Sequence, residues 1–586
     1  MLAACGGGGS DAGTPVSVPT VPTSSSSVSI RISSPATSSV VTTSSVSMTG
    51  TASGNVTEVD WNNATLNTGG RASGTANWSA NIPLQIGNNL LVVTAKDSTG
   101  KSASVNATIT YVQSGQVSVM GHVDSSLVDR NGGNAVYLYT GAVTPDDAGG
   151  AGANPYAIVP VRQDDGGCTW SYQLGSLPAG QYTVAFTDQA AGDAPDADDP
   201  IVFKGTTTIQ IHGGTPVTKN FAAVRVLQVG PGRSYATPSA AAAVAKDGDV
   251  IEIDAGEYLN DVTVWRRNNL TLRGVGGTRA YMRATRLIPY TPGNDSENGM
   301  GIWVTKARGI TVENIEFSGA AVPDQNGAGI RVDGPDITIC NSYFHDNENG
   351  ILGGGGDVLI EYSEFAFNGY GDGQSHNMYI DGTDRFTLQY SYSHHARIGH
   401  NVKSRAAENH ILYNRIMDEQ DGTASYAIDL PDCGMSYLIG NLIQQGPGTD
   451  NSTMVSYGAE GCLNPKKELY VVNNTLVNDL GSGIFLYVRS GTTAQIVNNI
   501  FAGNGKVLSG SGMMTSNLIS NAPGMFDMTN FDYRLTAISP ARDAGSIPGT
   551  VNGVDLTPRY HYVHRSNREP RPAAGTIDIG AYEYSP

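Results

Sequence analysis

Five of the ten histidines in the chain, His376, His394, His395, His400 and His410, fall between positions 376 and 410, where Arg397, Lys403, Arg405 and Arg415 also lie. On a protein of net charge -18 this is a basic island, a seat for an anionic substrate. Within it, Ser-His-Asn-Met-Tyr-Ile-Asp (Ser375 to Asp381) aligns with Gly-His-Asn-Val-Lys-Ser-Arg (Gly399 to Arg405) at an offset of 24 residues. The alignment superposes His376 on His400, Asn377 on Asn401, Tyr379 on Lys403 and Asp381 on Arg405, and a further 24 residues reach Ala427 and Asp429. Alternation along a strand turns Met378, Ile380, Val402, Ser404, Tyr426 and Ile428 inward and Tyr379, Asp381, Lys403, Arg405 and Asp429 outward.

Stacked strands lie about 4.8 Å apart. Asp381, Arg405 and Asp429 are therefore expected in one outward column and Tyr379 with Lys403 in a second, which extends backward to Arg331 and Trp303. Lys403 then has no acid in its own column and lies beside a phenol and histidines, surroundings that lower a lysine toward the range of a base. β-Elimination in a uronate polymer requires a base for the C5 proton, a cation at the carboxylate and a donor for the leaving oxygen. Lys403, Arg405 and one of Tyr379, His400 or His376 supply these types. Asp381, Asp429, Asn377, Asn401, Arg331, Trp303, His394, His395 and Arg397 form the candidate substrate-binding surround. Two other readings use the same residues. Asp381 and Asp429, two coils and roughly 9 to 10 Å apart, suit the paired carboxylates of a hydrolase, and Arg405 between two aspartates suits a solvated ion ladder of little energetic weight.

What positions these residues is a repeat. From about 226 onward a unit of alternating apolar residues ending in Asn or Tyr recurs, as in Ile310-Thr311-Val312-Glu313-Asn314 and Ile337-Thr338-Ile339-Cys340-Asn341, and later ends at Tyr362, Tyr390, Asn414, Asn441 and Asn474. The intervals are 27, 21, 28, 24, 27 and 33 residues, the length of one solenoid coil of three short strands. Ser239 to Lys246 reads as an amphipathic cap on the first coil. With the run Gly248-Asp249-Val250-Ile251-Glu252-Ile253 at one end and Ser539-Pro540-Ala541-Arg542-Asp543 and Asp578-Ile579-Gly580-Ala581-Tyr582 at the other, residues 226–586 resemble the right-handed parallel β-helix of the pectate-lyase superfamily. Lys403-Ser404 resembles the Lys-Ser that carries the base in β-helix lyases of the chondroitinase and alginate lyase kind, where an Arg on a neighbouring coil assists. Ala396 and Ile398 stand where that pattern would place calcium-binding acids, which puts a catalytic calcium in doubt. No Asp-Asp dipeptide of the polygalacturonase type occurs near this face.

The remainder of the 586 residues divides into three parts. Residues 1–26 carry Leu2-Ala3-Ala4-Cys5, which resembles the lipobox of bacterial lipoproteins, followed by a Gly/Ser/Thr/Pro tether; the resemblance implies lipidation at Cys5, a membrane anchor and a place in the bacterial cell envelope. Residues 27–113 and 116–224 show short alternating segments between turn residues, the pattern of β-sandwiches. The first resembles bacterial Ig-like modules; Leu177-Pro178-Ala179-Gly180-Gln181-Tyr182 in the second resembles transthyretin-like or carboxypeptidase-regulatory sandwiches. The fold class expected is thus all-β, a parallel β-helix preceded by two small sandwiches. Asp188, Asp193, Asp196, Asp198 and Asp199 form an acidic loop suited either to a calcium ion or to solvent. Cys168, Cys340, Cys433 and Cys462 are too sparse for a disulfide framework, and only a Cys433 to Cys462 bridge, or two free thiols there, is suggested. The acidic balance excludes a general nucleic-acid binder, no stretch of 18 apolar residues offers a spanning helix, and the expected state is a monomer acting on, or as an adhesin merely binding, an acidic polysaccharide.

Overall fold

The computed structural model describes residues 28–585 apart from short stretches, the longest being 190–200 and 290–298. Cys5 and Asp193, Asp196, Asp198 and Asp199 lie outside the described residues. Asp188 is described, and pairs with Lys204.

The first sandwich packs a three-stranded sheet, in the order Ser29–Ser34, Ser45–Ser53, Asn77–Pro83, on a five-stranded one. Alternation sends Val46, Met48 and Ala52 inward against Trp78, Ala80 and Ile82. Gly50 is required there because a Cβ would run into the Trp78 ring. The second sandwich opposes two four-stranded sheets over Val119, Leu138, Leu174, Val184 and Phe186.

From Val226 the chain winds as a parallel β-helix. One face is a ten-stranded parallel sheet running from Thr263–Trp265 to Lys506–Ser509, and the other two faces join in a 21-stranded sheet. Short β-branched and aromatic strands with inward apolar stacks favour this arrangement; Phe317, Phe344 and Phe365 stack at centroid spacings of 4.9 and 4.8 Å. The expected cap helix is shorter than read, Pro238–Ala242, with the Thr237 side chain accepting from the Ala240 backbone N–H.

The corner between the two joined faces corrects the repeat register. The residue that turns the chain there adopts positive φ at Asn314, Asn341, Tyr362, Tyr390, Tyr413, Gly440, Asn473 and Asn498. Asn414, Asn441 and Asn474 are therefore one position past the corner and point inward. There they form a buried amide ladder with Asn499 in which each Nδ2 donates to the next Oδ1 at 2.9 to 3.0 Å. The sequence pattern merged two ladders because Asn serves both needs: tolerance of the left-handed region at the bend and a self-complementary amide beside it.

The second sandwich is locked to the solenoid. Arg130 enters from the sandwich and meets Glu313 and Glu361, two coils apart with Cys340 on the coil between them, at 2.7 Å each. Ser125 and Gln163 donate to the same two carboxylates at 3.0 and 2.7 Å. A disulfide joins Cys168 to Cys340 across 172 residues of sequence, and Cys433 bonds to Cys462; the first bridge has no sequence signature because tertiary packing alone brings its partners together.

Candidate active site

The candidate residues project from the ten-stranded sheet, where Met378–Ile380, Val402–Ser404, Ile428–Leu430 and Thr453–Tyr457 are neighbours. Met378, Ile380, Val402 and Ile428 fill the core, and the residues between them face out. Tyr379 pairs with Lys403, Lys403 with Asp429, and Asp429 with Ser456. Asp429 thus belongs to the Tyr379 and Lys403 column, not to the column of Asp381 and Arg405. The uniform 24-residue offset fails here because residues 418–427 make a longer connection than their counterparts 395–401.

That shift changes the electrostatics of Lys403, which was expected to lack an acidic neighbour. Its Nζ lies 4.0 Å from Asp429 Oδ2 and 3.3 Å from Glu460 Oε1, and 5.1 Å from the centre of the Tyr379 ring. Arg405 Nε donates to the Tyr379 hydroxyl oxygen at 2.7 Å. Its other nitrogens meet Asp432 at 3.0 Å and Glu460. Arg405 is therefore neutralised by Asp432 and Glu460 rather than held between Asp381 and Asp429. Burial works against its charge, yet bonds to Glu460, Tyr379 and Asp432 hold its pKa above the ordinary value. Burial likewise opposes ionisation of Glu460, and Arg405 and Lys403 outweigh it, so this carboxyl lies below its usual range.

Asp429 is the reverse case. It is 2% exposed, its Oδ1 accepts no hydrogen bond, and burial, only partly offset by Lys403, pushes its pKa up to about 6. His376 and His400 stack at 4.4 Å in the layer beneath. The His400 backbone N–H donates to His376 Nδ1 at 3.0 Å and that of Tyr426 to His400 Nδ1 at 3.4 Å, which places the proton of each ring on Nε2. Burial holds both rings neutral, His400 at a pKa of about 3. His400 Nε2 lies 3.7 Å from Asp429 Oδ2, and the His376 ring meets Tyr379 edge-on at 5.6 Å. These histidines back the site and do not line its surface. Tyr426, expected to point into the core, is half-buried against His400 at 4.9 Å.

The expected surround is largely dispersed. Trp303 is buried between Trp265 and Phe317, since Val304 and not Trp303 shares the register of Arg331. Arg331 does stand in the Tyr379 column, beyond Leu352, and pairs with Asp333 at 2.9 Å. Asn377 and Asn401 are fully buried, Asn377 Nδ2 donating to Asn401 Oδ1 at 3.0 Å and Asn401 Nδ2 to Asp418 at 3.1 Å; they hold coils together and cannot bind substrate. His394 and His395 stand on another face, bonded to each other at 2.7 Å and to Glu364 and Asp421 at 3.2 and 3.0 Å. Arg397 pairs with Asp346, and His410 with Glu408 at 2.6 Å. The basic island is thus a succession of ion pairs on several faces, because adjacency in sequence carries the chain around the coil. Asp381 is exposed at the rim and accepts from the Gly382 backbone N–H.

Glu460 and Asp432 were not among the candidates. A signal for Glu460 existed: the 33-residue interval from Asn441 to Asn474 is the longest of the series, and its excess is the strap that carries Gly458-Ala459-Glu460-Gly461-Cys462 over Lys403. No described group of three or more His, Cys, Asp or Glu side chains is placed to hold a metal ion, and among the described residues no helix is long and apolar enough to cross a membrane.

No protein-family model matches the chain, and no curated protein matches it. Among solved structures, pectate lyase Pel9A aligns over 62% of this chain and 97% of its own at 15% identity and a TM-score of 0.42. Escherichia coli YbhC aligns over 48% and 76% at 12% identity and a TM-score of 0.24.

Proposed function

We propose that the chain cleaves a uronate-containing polysaccharide by β-elimination at the Tyr379, Lys403 and Arg405 surface. The observation that carries this reading is the arrangement of one base-type, one cationic and one phenolic side chain on rigid neighbouring strands, with Asp429 buried behind the base. Lys403, after its ammonium has lost a proton to solvent, takes the C5 proton, and the ammonium that re-forms is stabilised by Asp429, as a third group orients and stabilises a catalytic base elsewhere. Arg405 balances the charge that develops on the substrate carboxylate. The Tyr379 phenol oxygen accepts from Arg405 Nε, which leaves its O–H free to protonate the leaving oxygen and keeps a cation beside the phenolate that results. Asp381 and Arg331 border the surface and contact flanking sugars.

The hydrolase reading is weaker on this geometry. Asp429 is buried behind Lys403 while Asp381 is exposed in the adjoining column, so the two carboxylates do not face one bond. Digestion of a panel of uronate polymers tests the proposal: new ultraviolet-absorbing unsaturated ends are expected, and new reducing ends without that absorbance would return the choice to hydrolysis. Attachment to the bacterial envelope through a lipid on Cys5 belongs to the same proposal, with the protein acting as a monomer. Fatty-acid labelling that survives Cys5→Ser contradicts the anchor.

A further inference from the structure

The strap after Thr453–Tyr457 places a carboxylate against both cations of the proposed site. Glu460 Oε1 lies 3.3 Å from Lys403 Nζ, and Oε2 meets Arg405 Nη2. The ends of the strap are fixed. Cys462 is bonded to Cys433, and Asn464 Nδ2 donates to the backbone oxygens of Arg405 and Ala406 at 3.2 and 3.0 Å. Gly458 sits at φ 85° and Gly461 at φ 140°, conformations that favour glycine, and a Cβ on Gly458 would strike the disulfide sulfurs. Between these fixed points the Glu460 side chain is 48% exposed, against 11% for Lys403 and 18% for Arg405. It can therefore swing into solvent by side-chain rotation while the backbone stays in place.

We infer that Glu460 occupies the subsite of the substrate carboxylate, and that a uronate binds by displacing it from Lys403 and Arg405. The inference rests on the lyase reading for its substrate and extends it by locating the anion subsite and the residue that competes for it. A carboxylate bridging an ammonium and a guanidinium is the group a uronate would present, and the remaining charged neighbours explain why only Glu460 can yield. Asp429 is buried behind Lys403, and Asp432, 10% exposed, holds Arg405 from the side at 3.0 Å. With Glu460 in place the cluster of Lys403, Arg405, Asp429, Asp432 and Glu460 carries more carboxylates than cations; its departure balances them before the substrate charge arrives. The apparent affinity for a uronate is accordingly the intrinsic affinity reduced by the fraction of molecules in which Glu460 has left.

The test uses the full chain and reads binding independently of turnover. Lys403 is acylated with an amine-selective reagent in the presence of increasing sodium glucuronate, and its modification is followed by peptide mass spectrometry in wild type and Glu460→Gln. In Glu460→Gln the half-protecting glucuronate concentration is expected to fall roughly 3- to 10-fold, the size of one lost competing ion pair. Glucose should protect neither protein, and Arg405→Met should lose protection in both backgrounds. Equal half-protecting concentrations in wild type and Glu460→Gln, or protection by glucuronate no better than by glucose, overturns the inference. Selective protection in a protein that releases no unsaturated ends from any uronate polymer leaves the carboxylate subsite standing and removes the lyase reading instead.

Discussion

The chain buries the same kinds of ion at two places on its solenoid and treats them differently. At the junction with the second sandwich, Arg130 is 6% exposed between Glu313 and Glu361, themselves 4% and 3% exposed, with Ser125 and Gln163 supplying further donors. At the candidate site, Lys403 and Arg405 share a half-exposed Glu460, while the most deeply buried acid, Asp429, keeps an oxygen without a hydrogen bond. The first cluster has few ways to rearrange and is nearly closed to solvent. The second holds an under-satisfied carboxylate and a displaceable one beside solvent, the pattern expected where charge is spent on chemistry rather than on cohesion.

The contrast is open to attack at both ends. Lys403→Ala should produce the largest change, a loss of turnover of about 10² to 10⁴-fold, the usual contribution of a general base; an unimpaired variant on a proven substrate would falsify the assignment of the base. Arg130→Ala comes next. It leaves buried Glu361 without a cation and Glu313 with only the more distant Arg273, and should lower unfolding free energy by about 3–5 kcal/mol in urea titration with kcat little altered. A cost below about 1 kcal/mol would mean that the junction is ordinary surface pairing.

Asp429→Asn is predicted to move stability in the opposite direction. The folded-state pKa of Asp429, about 6, lies above the unfolded value near 3.9. The folded chain therefore binds more protons between these pH values, and the wild type loses stability as pH rises through them. The variant lacks that loss, so it should exceed wild type by on the order of 2–3 kcal/mol at pH 8 and by little at pH 4, while turnover falls. Equal stabilities at pH 8 would show that Asp429 is not destabilised by its burial. Tyr379→Phe is the smallest change expected, about 10-fold in kcat, because Arg405 remains to support a water in place of the phenol. A greater loss than for Lys403→Ala would make the phenol the primary proton carrier.

The all-β class, the solenoid and the outward facing of Tyr379, Lys403 and Arg405 were legible because strand alternation is a local property with a period of two. Partners were not legible where loops intervene. A longer connection at 418–427 moved Asp429 beside Lys403 and reversed the argument that Lys403 stands free of acids. Asn377 and Asn401 have the residue type of sugar ligands and the position of a coil-to-coil ladder, and only burial distinguishes the two. Trp303 was misread because the backward count of columns crossed coils of unequal length.

Composition, alternation and the recurring Asn and Tyr corners by themselves determined that the chain is a stack of short parallel strands with a row of outward side chains, since each coil is shaped by its own residues and its immediate neighbours. The tertiary structure alone decided what those side chains meet. It brought Glu460 over Lys403 and Arg405 on a strap, Asp432 against Arg405, Cys168 to Cys340 and Arg130 to two coils at once. Contacts of that kind depend on where loops and neighbouring domains return in space, and ionisation follows distance and burial, neither of which is written in the spacing of residues along a chain.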